Sequence, residues 1–284
     1  MKKIAVLMPA FNAGETIAEA VESMLWQELP PHCAYEVAVF DDGSTDATRA
    51  ILERIAGRRR DGRLRILGDG TRVGEAAARN RLLQAADADY YFVMDADDIA
   101  LPGRVRAQVE ALDAGHDLVG THVYNFGAMH GDRRFLAERP AHVLLAMVDQ
   151  RSFCHPAIAF NRKVARIGYP KPLASDYGLL IEVLLAGLGV TNLPRHYLMY
   201  RVHGKSQSNS TDADVFASLR KAVCEMRADY LARLLGLDAS AAAYSDCMER
   251  KIFRRDTPVD LVALDRLGAI VRDRLGVGVD FRRV

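Results

Sequence analysis

Tyr90-Tyr91-Phe92-Val93-Met94-Asp95-Ala96-Asp97-Asp98 joins an apolar run, of a length that suits one buried strand, directly to three carboxylates. Carboxylates crowded at the end of a buried strand repel one another and are costly to desolvate unless a cation compensates them. Oxygen-only ligands of this kind suit Mg²⁺ or Mn²⁺, which keep coordination positions open for the phosphates of a nucleotide. Taken alone, the string also fits a turn or a helix N-cap, where aspartate is common. An EF-hand loop is excluded, because Ile99 and Ala100 stand where its next ligand and the approach to its glycine belong.

The same arrangement of strand and polar loop recurs upstream. The apolar run Ile4 to Met8 is closed by Pro9, too soon for a signal-peptide core, and is followed by Ile17, Ala20, Val21, Met24 and Leu25 at helical spacing. Tyr35 to Phe40 leads into a turn through Asp42-Gly43-Ser44 and then a helical stretch with Ile51, Leu52 and Ile55. Leu64 to Leu67 reads as the next strand and the Ala- and Leu-rich Gly74 to Ala86 as a helix. Strands separated by helices predict a mainly parallel α/β sheet flanked by helices, with ligands beyond the carboxyl ends of its strands. Ala10 to Asn12, Asp41 to Ser44 and Asp95 to Asp98 each directly follow a strand, so three loops are expected to converge on one edge.

From Asp117 onward the alternation is less regular, with strands at Leu118 to Val123 and Ala157 to Phe160 and a helix within Ser175 to Gly187. The polar stretch Ser206 to Thr211 has linker character, and helices follow at Val215 to Leu235, Ala241 to Phe253 and Val259 to Leu275. The expected division is a domain over 1–210 and a helical C-terminal subdomain over 211–284. No internal repeat or low-complexity tract interrupts it.

The chain has 284 residues, half of them hydrophobic and 26% charged, which fits an ordinary globular protein and argues against extensive disorder. A net charge of +1 gives no overall attraction to nucleic acid, and the run Arg58 to Arg60 between Gly57 and Gly62 reads as a solvated loop or helix end. Cys33, Cys154, Cys224 and Cys247 have neither zinc-type spacing nor the density of a disulfide scaffold, so reduced thiols and a cytoplasmic setting are expected. No segment offers the roughly 18 uninterrupted apolar residues of a spanning helix; Leu179 to Val190 comes nearest and is broken by Glu182 and glycines. Peripheral contact with the inner face of a membrane stays open.

Read together, Met8-Pro9-Ala10-Phe11-Asn12 with Glu15, Phe40-Asp41-Asp42-Gly43-Ser44-Thr45-Asp46, Ala78-Arg79-Asn80 and Met94-Asp95-Ala96-Asp97-Asp98 resemble the family 2 glycosyltransferases, whose fold is the GT-A type. The likeness continues through His155-Pro156, Asp176-Tyr177 and Tyr200-Arg201-Val202-His203 followed by Ser206, and spans about residues 3 to 210 in order. The helical tail is outside it. The resemblance implies a nucleotide-binding half over 1–115 and an acceptor half over 116–210.

The resemblance also implies roles. Pro9, Ala10 and Phe11 with Asp42 would hold the nucleotide base, Asp42 accepting from a ring N–H and Phe11 offering a face for stacking, which suits a uracil-like base. Asn12, Glu15, Asp41 and Ala96 join them as donor-binding candidates. On local sequence alone Phe11 reads as a core aromatic and Asp42-Gly43 as a tight turn, and the ordered series of motifs reverses that reading. Asp95 and Asp97 would contact metal and diphosphate, with Asp98 sharing that task or capping the helix after Pro102. Arg79 would contact phosphate or sugar oxygens, the alternative being a surface arginine on an Ala-rich helix. His203 is a further candidate metal ligand or diphosphate partner, and His155 would orient the acceptor side or satisfy a buried backbone group. Asp176 matches the catalytic base, with a helix-start carboxylate stabilised by the dipole as its alternative.

The family resembled is inverting, so the acceptor oxygen would attack the anomeric carbon opposite the departing nucleoside diphosphate while a carboxylate takes its proton. The expected partners are a nucleotide-diphospho-sugar, a UDP-sugar favoured, and a saccharide or lipid-linked acceptor in surface polysaccharide or glycolipid synthesis; no nucleic acid is expected. The tail is a candidate for homodimerisation or membrane contact. Family members usually carry Glu or Asp before the base, and often Trp and Arg further along, where this chain has Ser175, Leu180 and Glu182, so the acceptor pocket is not legible. Those changes keep a non-catalytic nucleotide-sugar binding protein as an alternative, which transfer or donor hydrolysis dependent on Asp176 would exclude. A nucleotidyltransferase would need a glycine-rich basic loop after the first strand, and Ala10 to Glu15 has no such charge. Gly204-Lys205-Ser206 is not a Walker end, since Met199 replaces the required glycine.

Overall fold

The computed structural model describes residues 1–59, 61–135, 153–203, 213–237, 240–253 and 259–275. Arg60, Gly204-Lys205-Ser206, the Ser206 to Thr211 stretch and the boundary at 210 lie outside the described residues.

The first half alternates as its periodicity predicts: β1 (Lys2–Ala10), α1 (Ile17–Leu25), β2 (Cys33–Asp41), α2 (Thr48–Arg58), β3 (Leu64–Leu67), α3 (Glu75–Ala85) and β4 (Tyr90–Val93). β1 lies between β2 and β4, parallel to both, and its residues feed two cores. Ile4, Val6 and Met8 pack with Ile17, Val21 and Leu52, whereas Ala5 and Leu7 pack with Ala78 and Leu82 of α3. Such two-sided burial is why the strand reads as a continuous apolar run rather than an alternation. The register places Ala10 opposite Asp41 and Leu7 opposite Val93, so the polar loops after β1, β2 and β4 emerge from one edge.

The second half comprises β5 (Ile99–Ala100), α4 (Arg104–Asp113), β6 (Leu118–Gly127), β7 (Gly131–Arg133), a 3₁₀ turn (His155–Ala157), β8 (Ala159–Asn161), α5 (Arg162–Ala165), α6 (Ser175–Leu185) and β9 (Val190–Val202). The sheet order is β3-β2-β1-β4-β8-β6-β9-β5, with β7 on β6. The sheet is parallel through β4 and mixed beyond it, because β8 runs antiparallel to both β4 and β6. Fully buried Arg104 ties this reversal together: its Nη2 donates to the carbonyls of Val93 and Pro156 at 2.8 Å each. Burial lowers the pKa of that guanidinium to about 10.

β9 has no sequence signal of its own. Its parallel register with β6 shifts where Pro194-Arg195 bulges opposite Thr121-His122, which accommodates a proline that lacks an N–H for the ladder. It matters because it delivers Tyr200 to His203 back to the carboxylate edge.

The tail forms α7 (Ala213–Leu235), α8 (Ser240–Phe253) and α9 (Leu261–Leu275). α7 serves two cores. Val223, Met226 and Tyr230 pack in the cluster that holds Tyr177 and Ile181 of α6, while Leu231 and Leu235 join Met248, Leu264 and Leu267. Glu182 of α6 accepts two hydrogen bonds from Arg233, at 2.7 and 3.1 Å. No described helix is long and apolar enough to cross a membrane.

Candidate functional site

The loops after β1 and β2 are stitched to each other. Asn12, with φ 49°, accepts from the Thr45 N–H at 2.8 Å, and its own N–H donates to Ser44 Oγ at 3.0 Å. Ala13 N–H donates to Thr48 Oγ1 and Gly14 N–H to Asp46. Left-handed backbone at a non-glycine residue costs about 1–3 kcal/mol and persists only where its surroundings fix it. Pro9 is half-buried, Ala10 buried and Glu15 exposed. Phe11 is not a core aromatic: it is 39% exposed at the rim, with the Arg72 guanidinium 3.9 Å from its ring centroid.

Asp41 and Asp42 are both buried. Asp41 accepts from the Ser44 N–H at 3.1 Å, and Asp42 accepts from the N–H groups of Val73 and Gly74 at 2.5 and 3.0 Å. Gly43, at φ +71°, leaves 2.9 Å between a would-be Cβ and both Arg72 N and Gly70 O, so only glycine lets the two turns approach this closely.

Beyond β4, Asp95, Asp97 and Asp98 present one carboxylate oxygen each within 4.8 Å of one another. Asp98 is 1% exposed; its Oδ1 accepts from the Arg201 N–H at 2.8 Å, and its Oδ2 is buried without a partner. It does not cap the following helix, which starts at Arg104 behind Gly103 with no side-chain cap. His203 Nε2 lies 2.7 Å from Asp97 Oδ2. Arg201 closes the turn by donating from Nε to the Asp97 carbonyl at 2.7 Å and from Nη2 to Glu19 at 2.8 Å. The Ala96 carbonyl accepts from Thr16 Oγ1 at 2.9 Å. Three neighbouring carboxylates, one with a buried oxygen that has no partner and one paired with an imidazole, form a donor set that fits Mn²⁺ or Mg²⁺.

Burial pushes the Asp95 carboxyl up to about 7 against the pull of Arg79, with Asp97 adding to the rise. Burial together with Asp95 and Asp97 raises Asp98 as well. Below about 7 the folded chain therefore binds more protons here than the unfolded chain, whose carboxyls titrate near 4. Ion-free protein is expected to lose stability as pH rises from about 4 to about 7, whereas Mn²⁺ affinity rises over the upper part of that range as the competing proton leaves. Calorimetric Mn²⁺ titrations at about pH 6 and about pH 8 check this, and equal affinities would contradict it.

Arg79 is not a surface arginine. It is 4% exposed, with Nη2 bound to Asp95 at 3.1 Å and Glu75 at 2.5 Å, and Nη1 3.4 Å from Ser175 Oγ. It thus links the carboxylate cluster to the start of α6, where Asp176 is the second residue and the preceding Ala174 is held at φ 47°. Among the described residues Asp176 takes no hydrogen bond, and its charge acts on Arg79 and Tyr169. His155 satisfies a tyrosine hydroxyl rather than a backbone group: its Nε2 is 3.0 Å from Tyr169 Oη, and its Nδ1 is buried without a partner. Burial and Arg79 hold its pKa well below the ordinary range, so the ring is neutral. Asn80 clamps the Tyr169 backbone on both sides, at 2.9 and 3.0 Å.

Tyr169, Arg201, Arg104 and Arg72 are the members of this site that the sequence alone does not announce. Only Arg201 falls within a motif segment; the others are ordinary residues until the fold brings them in.

The family profile for glycosyl transferase family 2 matches residues 5–166. The chain belongs to that family. It is 32% identical over 168 residues to the glycosyltransferase EpsE of Bacillus subtilis (strain 168), a stretch covering 58% of each protein, so the chain spans little more than half the length of this relative. In fold it is similar to S. aureus TarS 1–349 in complex with UDP-GlcNAc, with a TM-score of 0.66 and 19% identity over 97% of this chain and 83% of that one. It is also similar to the glucosyl-3-phosphoglycerate synthase of Mycobacterium tuberculosis in complex with Mn²⁺, UDP and phosphoglyceric acid, with a TM-score of 0.53 and 22% identity over 82% and 78% of the two chains. The family 2 match, taken with these two structures, makes the mixed α/β fold GT-A in type.

Proposed function

We propose that this chain is a metal-dependent inverting glycosyltransferase, moving a sugar from a nucleotide-diphosphate donor, a UDP-sugar favoured, to the hydroxyl of a saccharide or lipid-linked acceptor. The observation that carries the reading is the bare Asp98 Oδ2, buried beside Asp95, Asp97 and the Asp97–His203 pair on the edge that also bears Phe11 and Asp42. An orphaned buried carboxylate oxygen is costly unless something cationic answers it.

Asp95, Asp97 and Asp98, with His203, would hold Mn²⁺ or Mg²⁺, which when bound neutralises charge on the departing diphosphate. Pro9 to Asn12, Glu15, Asp41 and Asp42 shape the donor side, and Ala96 is anchored there through Thr16. Arg79 is a positioning residue that holds Asp95 and the first turn of α6 in register. Asp176, at the positive end of α6, takes the acceptor proton as the new bond forms. His155 orients Tyr169 on the same side. The Mn²⁺ and UDP complex of the M. tuberculosis neighbour supports the choice of ion and nucleotide.

Calorimetric titration of the full chain with UDP, with and without Mn²⁺, tests the reading. UDP is expected to bind only when the ion is present; equal binding in chelator, or none in Mn²⁺, would overturn it.

A further inference from the structure

Beyond the carboxylates, β6, β7 and β9 carry polar groups that no role so far uses. Asn125 is 8% exposed, and its Oδ1 is buried without a hydrogen-bond partner. Arg133 is exposed, pairs with no carboxylate among the described residues, and lays its guanidinium 5.5 Å from the ring centroid of Phe135 and 5.6 Å from that of Tyr200.

Strand register puts these groups on one face. Across β6 and β7, Val123 pairs with Arg133 and Asn125 with Gly131, and across β6 and β9 Asn125 pairs with Tyr200. Directly paired residues share a face, as do residues two apart on a strand, so Asn125, Arg133 and Tyr200 line one recess. Gly131 brings no side chain over Asn125, and a Cβ there would meet nothing within 4 Å. On the far side of β9, Ile99 pairs with Met199, and Asp98 at the next position takes the Arg201 N–H. Two strand spacings, about 10 Å, therefore separate Asn125 from the carboxylate cluster.

The recess joins the side on which His155 and Tyr169 lie. Burial pushes the Cys154 thiol up, Arg133 opposes the rise and Asp98 adds to it, so the charges of both reach the same buried sulfur. The next residue, His155, faces Tyr169.

We infer that Asn125, Arg133 and Tyr200 form a subsite for an acidic sugar unit of the acceptor, a hexuronate whose carboxylate meets Arg133 and whose hydroxyl donates to Asn125 Oδ1. This rests on the acceptor reading above. A guanidinium without a counter-charge matches a planar carboxylate, which takes two parallel N–H donors. A buried amide oxygen without a donor is costly, and a hydroxyl answers it. The Tyr200 ring gives the apolar C–H face of a sugar a flat surface to lie on. A neutral sugar leaves Arg133 unanswered, and an ionised phosphate has few protons to give Asn125; a sugar acid supplies both groups at once.

Saturation-transfer NMR of the full chain with D-glucuronate and D-glucose, and with inorganic phosphate as competitor, tests the subsite. D-glucuronate is expected to bind roughly tenfold more tightly than D-glucose, to resist an equal concentration of phosphate, and to lose its advantage in Arg133→Gln. Asn125→Ala is expected to weaken both sugars by about fivefold, since the hydroxyl contact is common to them. Equal affinity for the two sugars, a preference that survives Arg133→Gln, displacement by phosphate, or unchanged binding in a folded Asn125→Ala overturns the proposal. Arg133 is exposed, so its variant is expected to fold and decides the matter even where Asn125→Ala does not. Titration with UDP in Mn²⁺ separates the two readings. UDP binding without a preference for glucuronate overturns the subsite alone, whereas glucuronate binding without UDP binding overturns the donor reading and, with it, the acceptor role of the recess.

Discussion

Asp176→Asn is expected to lower sugar transfer by roughly 10²–10⁴-fold, the contribution of a general base, while UDP affinity in Mn²⁺ stays at the wild-type value. Asparagine matches aspartate in shape but cannot accept the acceptor proton. Folding should hardly notice: the lost charge at the first turn of α6 removes about 0.3–1 kcal/mol of helix-dipole stabilisation. Asp176 takes no hydrogen bond among the described residues, so none of those contacts goes with it. The measurement is the rate of UDP release from a UDP-sugar, with water or an added saccharide as acceptor. Turnover within about threefold of wild type would remove Asp176 from the chemistry and return the non-catalytic reading, since a base worth 10²–10⁴ cannot be lost so quietly.

Asp98→Asn should move two quantities in opposite directions. Asparagine keeps the oxygen that accepts from the Arg201 N–H and replaces the bare Oδ2 with a neutral donor facing two carboxylates. In ion-free protein this removes a buried carboxyl oxygen that has no partner and should raise stability by about 1–3 kcal/mol. The same change removes an oxygen from the cation's donor set. Because even loss of a residue supporting a ligand costs about 10–100-fold in metal affinity, Mn²⁺-dependent UDP binding should fall by at least that much. Thermal denaturation in chelator and calorimetry in Mn²⁺ separate the two effects. If the variant were less stable and still bound UDP normally, Asp98 would be a structural carboxylate and the cation reading would fail. The pairing of higher stability with lost binding is the behaviour of a residue kept for function at a cost to the fold.

Much of this was legible in the sequence, for reasons that differ along the chain. β1, β2 and β4 are buried on both faces, so their apolar runs stand out, and the register that aligns Ala10 with Asp41 follows from parallel pairing of neighbours. β9 was not legible because its interior, Leu193-Pro194-Arg195-His196, has neither an apolar run nor alternation; its place comes from pairing with β6 across a bulge. For Arg79 the alternative of a surface residue on an Ala-rich helix stands beside the donor-contact reading, because local sequence cannot show that Asp95 and Ser175 close over it. The aspartate cluster was readable as three acids in a row, but which oxygen is left bare depends on Arg201, which follows Asp98 by about a hundred positions. Phe11 misleads in the opposite sense, since an aromatic after an apolar strand is usually interior.

The sharing of α7 between two cores bears on how such proteins are recombined. Val223, Met226 and Tyr230 lie in one cluster with Tyr177 and Ile181, and Arg233 grips Glu182. A chimera that joined the strands and loops of this chain to a foreign tail at the polar stretch would strip that flank of α6 bare, just behind the turn that carries Asp176. The smallest transplantable piece therefore runs through Arg233, and swapping tails between relatives will succeed only where the first six turns of α7 travel with the helix they cover.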